Sequence, residues 1–310
     1  MKILFADTAH PSLKDGLEQA GHSCDDLESF RTETLLSILT KYDGVIIRSR
    51  FRFDAELLGK LPHLKFIARV GAGMENIDVG FAESKGIVCF HAPEGNRNAV
   101  AEHAMGMLLA MLNHLCRANS EVKAGKWIRE ANRGEELEGK TIAIIGFGNT
   151  GSSLARKLKG FDVNILAFDP YVKDTANSDV RLCSMQEIYD EADIVSLHIP
   201  LSEETRAMVN TKWLSGFKKP IRIINTSRGK CLVTADLMLA IEQGRVISAA
   251  LDVLEFESLS FEHFDLNEEL LHKMKSDDRV LLSPHIAGWT KESNSKMAGI
   301  LLEKILKRFG

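Results

Sequence analysis

One stretch, from Thr141 to Asp169, constrains the fold of this chain more than any other. It opens with the apolar, β-branched run Ile142 to Ile145, which is typical of a buried parallel strand. Three glycines follow with the spacing G-x-G-x-x-G: Gly146, Gly148 and Gly151. A helical pattern then runs from Ser152 to Leu158, and a second strand pattern runs from Val163 to Phe168. The order predicts a strand, a tight turn, a helix and a second parallel strand.

These glycines have the arrangement that dinucleotide binding requires. The first permits a tight turn, the second lets the backbone approach a pyrophosphate, and the third lets helix and strand pack closely. The pyrophosphate would lie at the helix N-terminus, where free N–H groups and the dipole favour an anion. Asp169 would accept hydrogen bonds from the ribose hydroxyls and repel a 2′-phosphate, so the predicted cofactor is NAD rather than NADP. An ordinary βαβ turn is the alternative, but an acid about 20 residues after the glycines favours the dinucleotide.

The composition narrows the class of protein. The chain has 310 residues, enough for two domains, with 45% hydrophobic residues, 26% charged residues and a formal net charge of -4. This balance gives no reason to expect nucleic acid or a membrane as the partner. The apolar runs at the N-terminus and from Ala104 to Leu112 are too short for a signal peptide or a membrane span. The cysteines are scattered without metal-ligand spacing, so we expect a cytoplasmic protein without a bound metal.

Strand-like and helix-like segments alternate along the chain, which indicates parallel sheets with helices on both faces. The predicted strands are Lys2–Ala6, Gly44–Arg48, Leu64–Val70, Gly86–Phe90, Ile142–Ile145, Val163–Phe168, Asp193–His198, Ile221–Asn225, Ile247–Asp252 and Arg279–Ser283. The predicted helices are Ser12–Ala20, Thr32–Leu39, Asp54–Gly59, Ala99 to about Ala118, Ser152–Leu158 and Ser293–Arg308. Pro93 and Gly95 are expected to interrupt the pattern.

We therefore expect an α/β fold of two doubly wound parallel-sheet domains, of Rossmann or flavodoxin type, with a cleft between them. The expected substrate domain comprises residues 1–98 and 290–310. The expected NAD-binding domain comprises residues 99–289.

Three side chains that follow strands of the second sheet are suited to chemistry at a carbonyl group. Arg228 offers a planar fork for a carboxylate, and His285 can exchange a proton near neutral pH. Glu257 would orient the imidazole and favour its protonated form. Taken singly, they also fit a solvated loop charge, a hydrogen-bonded core histidine and a surface acid. Their common position past strands of one sheet favours an active site.

Five segments resemble, in order, the signatures of the NAD-dependent D-2-hydroxyacid dehydrogenases: GKTIAIIGFGNTG, HIPLSEET, INTSRG, AALDVLEFE and SPHIAGWT. The resemblance implies that Arg228 binds the substrate carboxylate and polarises the C2 carbonyl, that His285 transfers the proton, and that Glu257 is its partner. It also implies cofactor contacts from Ile199, Thr205, Thr226, Asp252 and Gly288, with Asp252 near the nicotinamide amide. Asn149 and Thr150 would contact the pyrophosphate through their backbone.

The first domain resembles the phosphoglycerate dehydrogenases of serine biosynthesis through LKFIARVGAGMENIDV and HAPEGNRNAVAEHAMGMLL. This implies that the backbone of Gly71 and Ala72 meets the substrate carboxylate. It also implies that Arg48, Ser49 and Arg50 bind a 3-phosphate, although such a run is also typical of a solvated surface. The helix from Ala99 would form a homodimer contact.

The chain departs from the family pattern in two places. Ser258 stands where the family usually has proline, and a charged insertion from Leu259 to Asp278 follows. The insertion would either cover the active-site cleft or lie on the surface. Since the chain ends at Gly310, serine feedback through a C-terminal regulatory domain is not expected.

The predicted activity is NAD-dependent oxidation of D-3-phosphoglycerate to 3-phosphohydroxypyruvate. Reduction of glyoxylate, hydroxypyruvate or another small 2-keto acid is the alternative within the same chemistry, with Arg48 and Arg50 facing solvent. An NAD(H)-sensing protein, similar to the transcriptional corepressors of this fold, is the alternative from another class, because those proteins keep the same three residues.

Overall fold

The structure, a computed structural model, describes residues 1–27, 35–175, 179–257 and 268–310. Within these ranges the chain divides into two compact units. The first holds Met1–Arg97 and Trp289–Gly310, and the second holds Asn98–Glu257 and the residues from 268 to 288. The first nine residues of the charged insertion, 259–267, and Ser258 before them lie outside the described residues.

The described part of the first unit contains a five-stranded parallel sheet in the order β2-β1-β3-β4-β5. Its strands are β1 Lys2–Phe5, β2 Ser23–Asp26, β3 Gly44–Ile47, β4 Phe66–Arg69 and β5 Val88–His91. Strands β3 and β4 are buried along their whole length, which fits their apolar sequences, since helices cover both faces of a parallel sheet. The order of the strands reverses between β1 and β3, and ligands bind outside the carboxyl ends of strands at such a point.

Helices of the first unit cover this sheet. They are α1 Pro11–Gln19, α2 Leu35–Leu39, α3 Ala55–Gly59, α4 Val79–Ser84 and, near the C-terminus, α12 Lys291–Phe309. Helix α12 packs on α1: a Cβ atom on Gly16 would meet Leu302 at 2.3 Å, so the glycine permits the close approach. Leu13 and Leu17 share a buried apolar cluster with Leu301 and Ile305. Hydrophobic burial therefore attaches the last helix to the first sheet.

The second unit contains, within the described residues, a seven-stranded parallel sheet in the order β12-β11-β10-β9-β6-β7-β8. Its strands are β6 Thr141–Ile145, β7 Asn164–Phe168, β8 Val180–Leu182, β9 Ile194–Leu197, β10 Ile221–Asn225, β11 Val246–Leu251 and β12 Val280–Leu282. The order reverses between β6 and β9, which is the switch point of this sheet. The predicted α/β class with two doubly wound parallel sheets is confirmed.

The remaining helices are α5 Pro93–Leu112, α6 Leu115–Lys123, α7 Asn149–Leu158, α8 Met185–Glu191, α9 Thr211–Ser215, α10 Thr234–Glu242 and α11 Glu268–Ser276. None of the helices in the described ranges is both long enough and apolar enough to cross a lipid bilayer.

Two expectations about elements are wrong. The long helix begins at Pro93 rather than Ala99, because proline fits the first turn of a helix and Gly95 lets Met297 approach it closely. It ends at Leu112 rather than near Ala118, because His114 has a left-handed backbone (φ 52°) that starts the separate helix α6. The edge strands β2 and β8 were not predicted either, because they are short and carry polar residues.

Candidate active site

The glycine-rich turn lies at the carboxyl end of β6, beside the switch point. Gly146 has φ 90°, and a Cβ atom there would meet the carbonyl oxygen of His198 at 2.5 Å. A Cβ atom on Gly151 would lie 2.1 Å from the carbonyl oxygen of Gly146. Both positions therefore require glycine, the first for its backbone conformation and the second for close packing of α7 against the turn.

The end of α7 is open for an anion. A Cβ atom on Gly148 would meet nothing within 4 Å, and no side chain caps the helix. Asn149 and Thr150 are the first residues of this ten-residue helix, so their N–H groups have no partner within the helix. Asp169, at the end of β7, accepts hydrogen bonds from the N–H groups of Phe147 (2.8 Å) and Tyr171 (2.9 Å). The carboxylate is thereby fixed next to the turn.

Two buried polar atoms near the switch point have no hydrogen-bond partner in the described part of the chain, Thr226 Oγ1 and His198 Nδ1. Thr226 follows β10 and His198 follows β9, so both lie at the carboxyl edge of the sheet. Burial lowers the pKa of His198 to about 4, so its ring is neutral. An unpaired buried polar group is costly unless a ligand supplies the missing bond. The open helix end and these atoms fit a bound dinucleotide.

Three other predicted cofactor residues lie in segments that follow strands of this sheet, Ile199 and Thr205 after β9 and Gly288 after β12. Ile199 follows His198, and its Cγ2 atom would lie 3.0 Å from a Cβ atom on Gly146. Thr205 uses its Oγ1 atom within its own loop, donating to the Pro200 carbonyl oxygen at 2.6 Å. Gly288 is the last residue of the second unit, after the segment that carries His285.

Arg228 lies in a turn after β10 that Asn225 holds in place. The Asn225 side-chain oxygen accepts hydrogen bonds from the Ser227 N–H (3.0 Å) and hydroxyl (2.7 Å), and its amide nitrogen donates to the Arg228 carbonyl oxygen (3.2 Å). Asn225 is completely buried, so the turn is fixed by a polar group that cannot exchange its bonds with water. The backbone that carries the half-buried Arg228 side chain is therefore well defined.

Gly229 brings this turn against the next one. A Cβ atom on Gly229 would lie 1.9 Å from the carbonyl oxygen of Leu254 and 2.6 Å from the backbone nitrogen of Glu255. The turn after β10 thus touches the turn after β11, three residues before Glu257. The absence of a side chain at Gly229 places Arg228 close to the segment that carries the predicted acid.

Glu257 and His285 are in direct contact, as the sequence predicts for a catalytic pair. His285 Nδ1 lies 2.7 Å from Glu257 Oε2, and the other oxygen of Glu257 accepts a hydrogen bond from the Leu254 N–H. Because an ionised carboxylate only accepts, the Nδ1 atom carries the proton, and Nε2 is left as the nitrogen for proton exchange. Both side chains are largely buried, with 12% of Glu257 and 21% of His285 exposed.

A carboxylate beneath the His285 turn fixes its conformation. Asp252 accepts hydrogen bonds from the Ser283 hydroxyl (2.6 Å) and from the N–H groups of Ile286 (2.9 Å) and Ala287 (2.8 Å). Its own carbonyl oxygen accepts from the His285 N–H at 2.7 Å. His285 has a left-handed backbone with φ 52°, which costs free energy and persists only where neighbouring contacts hold it. These bonds impose it.

His103, on α5, completes this network. Its Nε2 atom lies 2.9 Å from Ser283 Oγ and 3.4 Å from Asp252 Oδ1. Because the Ser283 proton points to Asp252, His103 Nε2 must be the donor to Ser283. Burial by itself raises the pKa of Asp252, but the hydrogen bonds from His103, Ser283, Ile286 and Ala287 outweigh it, so the pKa is lowered. Asp252 is therefore a buried, ionised anchor, and its predicted contact with the nicotinamide amide stays a prediction.

The first unit holds the other predicted substrate residues at the carboxyl ends of β3 and β4. Arg48 is partly buried, Ser49 follows it, and Arg50 is exposed, with its guanidinium 5.1 Å from the Phe51 ring. After β4, the Gly71 N–H donates to the Arg69 carbonyl oxygen at 2.8 Å. The Ala72 carbonyl oxygen accepts a hydrogen bond from His91 Nδ1 at 2.7 Å.

Comparison with known proteins decides the family. The sequence model described as "D-isomer specific 2-hydroxyacid dehydrogenase, NAD binding domain" matches residues 105–287, more than half of the chain. A hydroxypyruvate reductase of Thermotoga maritima is 36% identical over 91% of this chain and 90% of its own length. The chain belongs to the D-2-hydroxyacid dehydrogenases. It is an NAD-dependent oxidoreductase, and NAD is the dinucleotide that the glycine-rich turn fits.

Other relatives of this dehydrogenase carry different names. A D-3-phosphoglycerate dehydrogenase of Archaeoglobus fulgidus is 33% identical over 99% of this chain, which spans only 57% of that relative's length. A glyoxylate reductase of Thermofilum pendens is 32% identical over 95% of this chain and 86% of its own length. The crystal structure of D-lactate dehydrogenase from Aquifex aeolicus, complexed with NAD and lactic acid, superimposes with a TM-score of 0.86 at 27% identity, covering 99% of this chain and 95% of that one.

Sequence reasoning missed three residues that build the site of this dehydrogenase: His103, Ser283 and Gly229. Ser283 and Gly229 lie next to predicted residues, and a serine or glycine just after a strand is a weak signal for packing between turns. His103 is 180 residues from Ser283 in sequence and looks like any helical histidine. Its part in the network follows only from the tertiary structure.

Proposed function

We propose that this dehydrogenase oxidises D-3-phosphoglycerate to 3-phosphohydroxypyruvate, a reaction of serine biosynthesis, in the cytoplasm. The observation that carries the proposal is Arg48, which places a cation at the carboxyl end of β3, at the switch point of the first sheet. Among the described residues no side chain forms an ion pair or hydrogen bond with its guanidinium. The Asp7 carboxylate acts on this guanidinium through its charge, and its hydrogen bonds go to the backbone N–H groups of Arg48 and Arg50. A partly buried guanidinium that no described side chain contacts by a direct ion pair is suited to a substrate phosphate.

Other residues of the chain would bind the substrate carboxylate and transfer the proton. Arg228 binds the substrate carboxylate as a bidentate pair and polarises the C2 oxygen, and the Ala72 backbone meets the same carboxylate. In the oxidative direction neutral His285 takes the hydroxyl proton at Nε2, and Glu257 stabilises the imidazolium that forms. In the reductive direction the imidazolium returns that proton. Bound NAD, held by the glycine turn, α7 and Asp169, supplies the hydride acceptor.

A second candidate is reduction of hydroxypyruvate or glyoxylate. The similarity to the Thermotoga maritima hydroxypyruvate reductase favours this candidate, because the match covers about nine tenths of both proteins. By contrast, this chain spans only about half the length of the phosphoglycerate dehydrogenases that it resembles. In that case Arg48 and Arg50 would face solvent and would not bind a substrate phosphate.

The oxidation of NADH by 3-phosphohydroxypyruvate and by hydroxypyruvate separates the two candidates. We expect kcat/KM to be at least about tenfold higher for the phosphorylated acid, since a charge-assisted bidentate contact contributes about 1.5–3 kcal/mol. Arg48→Leu should remove this preference and leave the rate with hydroxypyruvate within about threefold. Equal rates with both acids in the wild type would refute phosphate recognition and favour the second candidate.

We also propose a homodimer. The sequence places its contact on the helix from Ala99 to about Ala118, and we propose that the contact continues through α6 and the segment after it. This surface exposes several large apolar side chains, Leu115, Val122, Trp127 and Ile128, with Trp127 81% exposed. Exposed apolar side chains that cluster in this way are typical of protein interfaces. Sedimentation of the wild type and of Trp127→Glu tests this: a monomeric wild type at micromolar concentration would contradict it.

A further inference from the structure

Trp289 stacks on Arg48 within the first unit. The central carbon of the Arg48 guanidinium lies 4.1 Å from the centroid of the Trp289 ring, a cation–π distance. Trp289 directly precedes Thr290, the N-cap residue of α12. Thr290 and Ser293 cap that helix reciprocally, with bonds of 3.0 and 3.1 Å, so the backbone next to Trp289 is held in place. The indole nevertheless remains 66% exposed, so core packing does not explain a tryptophan there.

The backbone of Arg48 is held from both sides. The Asp7 carboxylate, after β1, accepts hydrogen bonds from the N–H groups of Arg48 (2.9 Å) and Arg50 (3.3 Å). The Arg48 carbonyl oxygen accepts from Arg69 Nε (3.1 Å) and Asn76 Nδ2 (3.1 Å), both of which are buried side chains. The turn is therefore rigid, and the remaining freedom at Arg48 is that of its long side chain.

The contact with the indole restricts much of that freedom. A guanidinium that stacks through its face keeps its N–H groups in the plane, where they match two oxygens of one anion. Burial lowers the pKa of Arg48, and Asp7 opposes the shift. The cost of partial desolvation falls when an oxyanion binds, because the charge then has a partner.

We propose that Trp289 is a positioning residue that sets substrate specificity: by stacking on Arg48, it orients the guanidinium to bind a second oxyanion at the end of the substrate remote from the reacting carbon. This inference rests on the proposed binding of substrate by the first unit. The oxyanion is a phosphate monoester or a carboxylate, which share the bidentate chemistry. Arg50 has a longer contact of this kind, 5.1 Å from the Phe51 ring centroid, and its side chain is exposed, so it is held less firmly.

The test compares the wild type with Trp289→Ala and with the conservative variant Trp289→Phe. Three 2-oxo acids serve as substrates with NADH: 3-phosphohydroxypyruvate, 2-oxoglutarate and the singly charged hydroxypyruvate. We expect Trp289→Ala to raise KM about tenfold for whichever of the two acids with a second oxyanion the enzyme accepts, with kcat within twofold. The KM for hydroxypyruvate should stay within twofold. Trp289→Phe should recover most of the loss, because phenylalanine also presents a π face.

Several outcomes would overturn the proposal. An equal loss with all three acids would make Trp289 a merely structural residue, and a Phe variant as poor as the Ala variant would exclude stacking as the cause. A wild type that prefers hydroxypyruvate at least tenfold over both acids with a second oxyanion would exclude the proposed second binding contact. A preference for 2-oxoglutarate over 3-phosphohydroxypyruvate would refute the proposed phosphoglycerate activity and leave the role of Trp289 intact.

Discussion

Replacement of Gly229 by alanine tests whether contact between two turns builds the active site. The new Cβ atom would lie 1.9 Å from the Leu254 carbonyl oxygen, whereas ordinary contacts begin at 3.4 Å. The turns that carry Arg228 and Glu257 would therefore have to separate by about 1.5 Å, the difference between these distances. The obstructing atoms belong to the backbone, so no side-chain rotation can relieve the clash.

The expected effects on stability and activity differ in size. Overpacking of this kind lowers the free energy of unfolding by about 1–3 kcal/mol. For a unit of this size, a loss of about 2 kcal/mol lowers the melting temperature by about 4–8 °C. A displacement of about 1 Å in a catalytic group lowers the rate by about 10²-fold. We therefore expect kcat/KM to fall about 10²-fold at 25 °C, where the protein remains folded.

Calorimetry and steady-state kinetics on the same preparation measure both effects. Gly299→Ala is the matched control, because Gly299 lies on an exposed face of α12 with nothing within 4 Å of a new Cβ atom. That substitution should raise stability by about 0.5–1 kcal/mol and leave the rate unchanged. A Gly229→Ala enzyme with wild-type kcat/KM would refute the argument that this contact sets the geometry of Arg228 and Glu257.

Three further substitutions test individual side chains. His285→Ala should lower kcat by about 10²-fold or more with NAD affinity retained, measured by turnover and by calorimetric titration; near wild-type turnover would exclude it as the proton carrier. Arg228→Lys should chiefly raise KM for the acid, because an ammonium lacks the bidentate fork; unchanged kinetics would remove Arg228 from the site. Asp252→Asn should destabilise the fold by about 3 kcal/mol at pH 7, since one buried N–H loses its carboxylate acceptor. The pKa of Asp252 is lower in the folded protein than its unfolded value of 3.8. The stability that the ionised Asp252 contributes is therefore fully present above pH 3.8 and is lost as the pH falls through the pKa of the folded protein. Urea unfolding from pH 7 to 3 should show the gap between wild type and Asp252→Asn closing below about pH 3.8, and a constant gap would contradict the ionised anchor.

The sequence predicted the elements whose signals are local. Strand β6, the glycine turn and α7 follow from residues within one short segment, because glycine spacing and β-branched runs act over a few positions. The break between α5 and α6 escaped prediction, since nothing in the sequence of Asn113 and His114 requires a left-handed backbone. Edge strands such as β8 escaped prediction because a short strand is stabilised by pairing with its neighbour, and the local sequence pattern does not contain that neighbour.

The candidate site divides in the same way. The sequence by itself determined which residue types are available after each strand, Arg228, Glu257 and His285 among them, because parallel strands of one sheet deliver their carboxyl ends to one edge. Only the tertiary structure decided how those groups are held: Gly229 against Leu254, and His103 reaching Ser283 from a distant helix. The reason is that close packing and shared hydrogen bonds join residues far apart in the chain, and no local pattern records which partner each residue will meet.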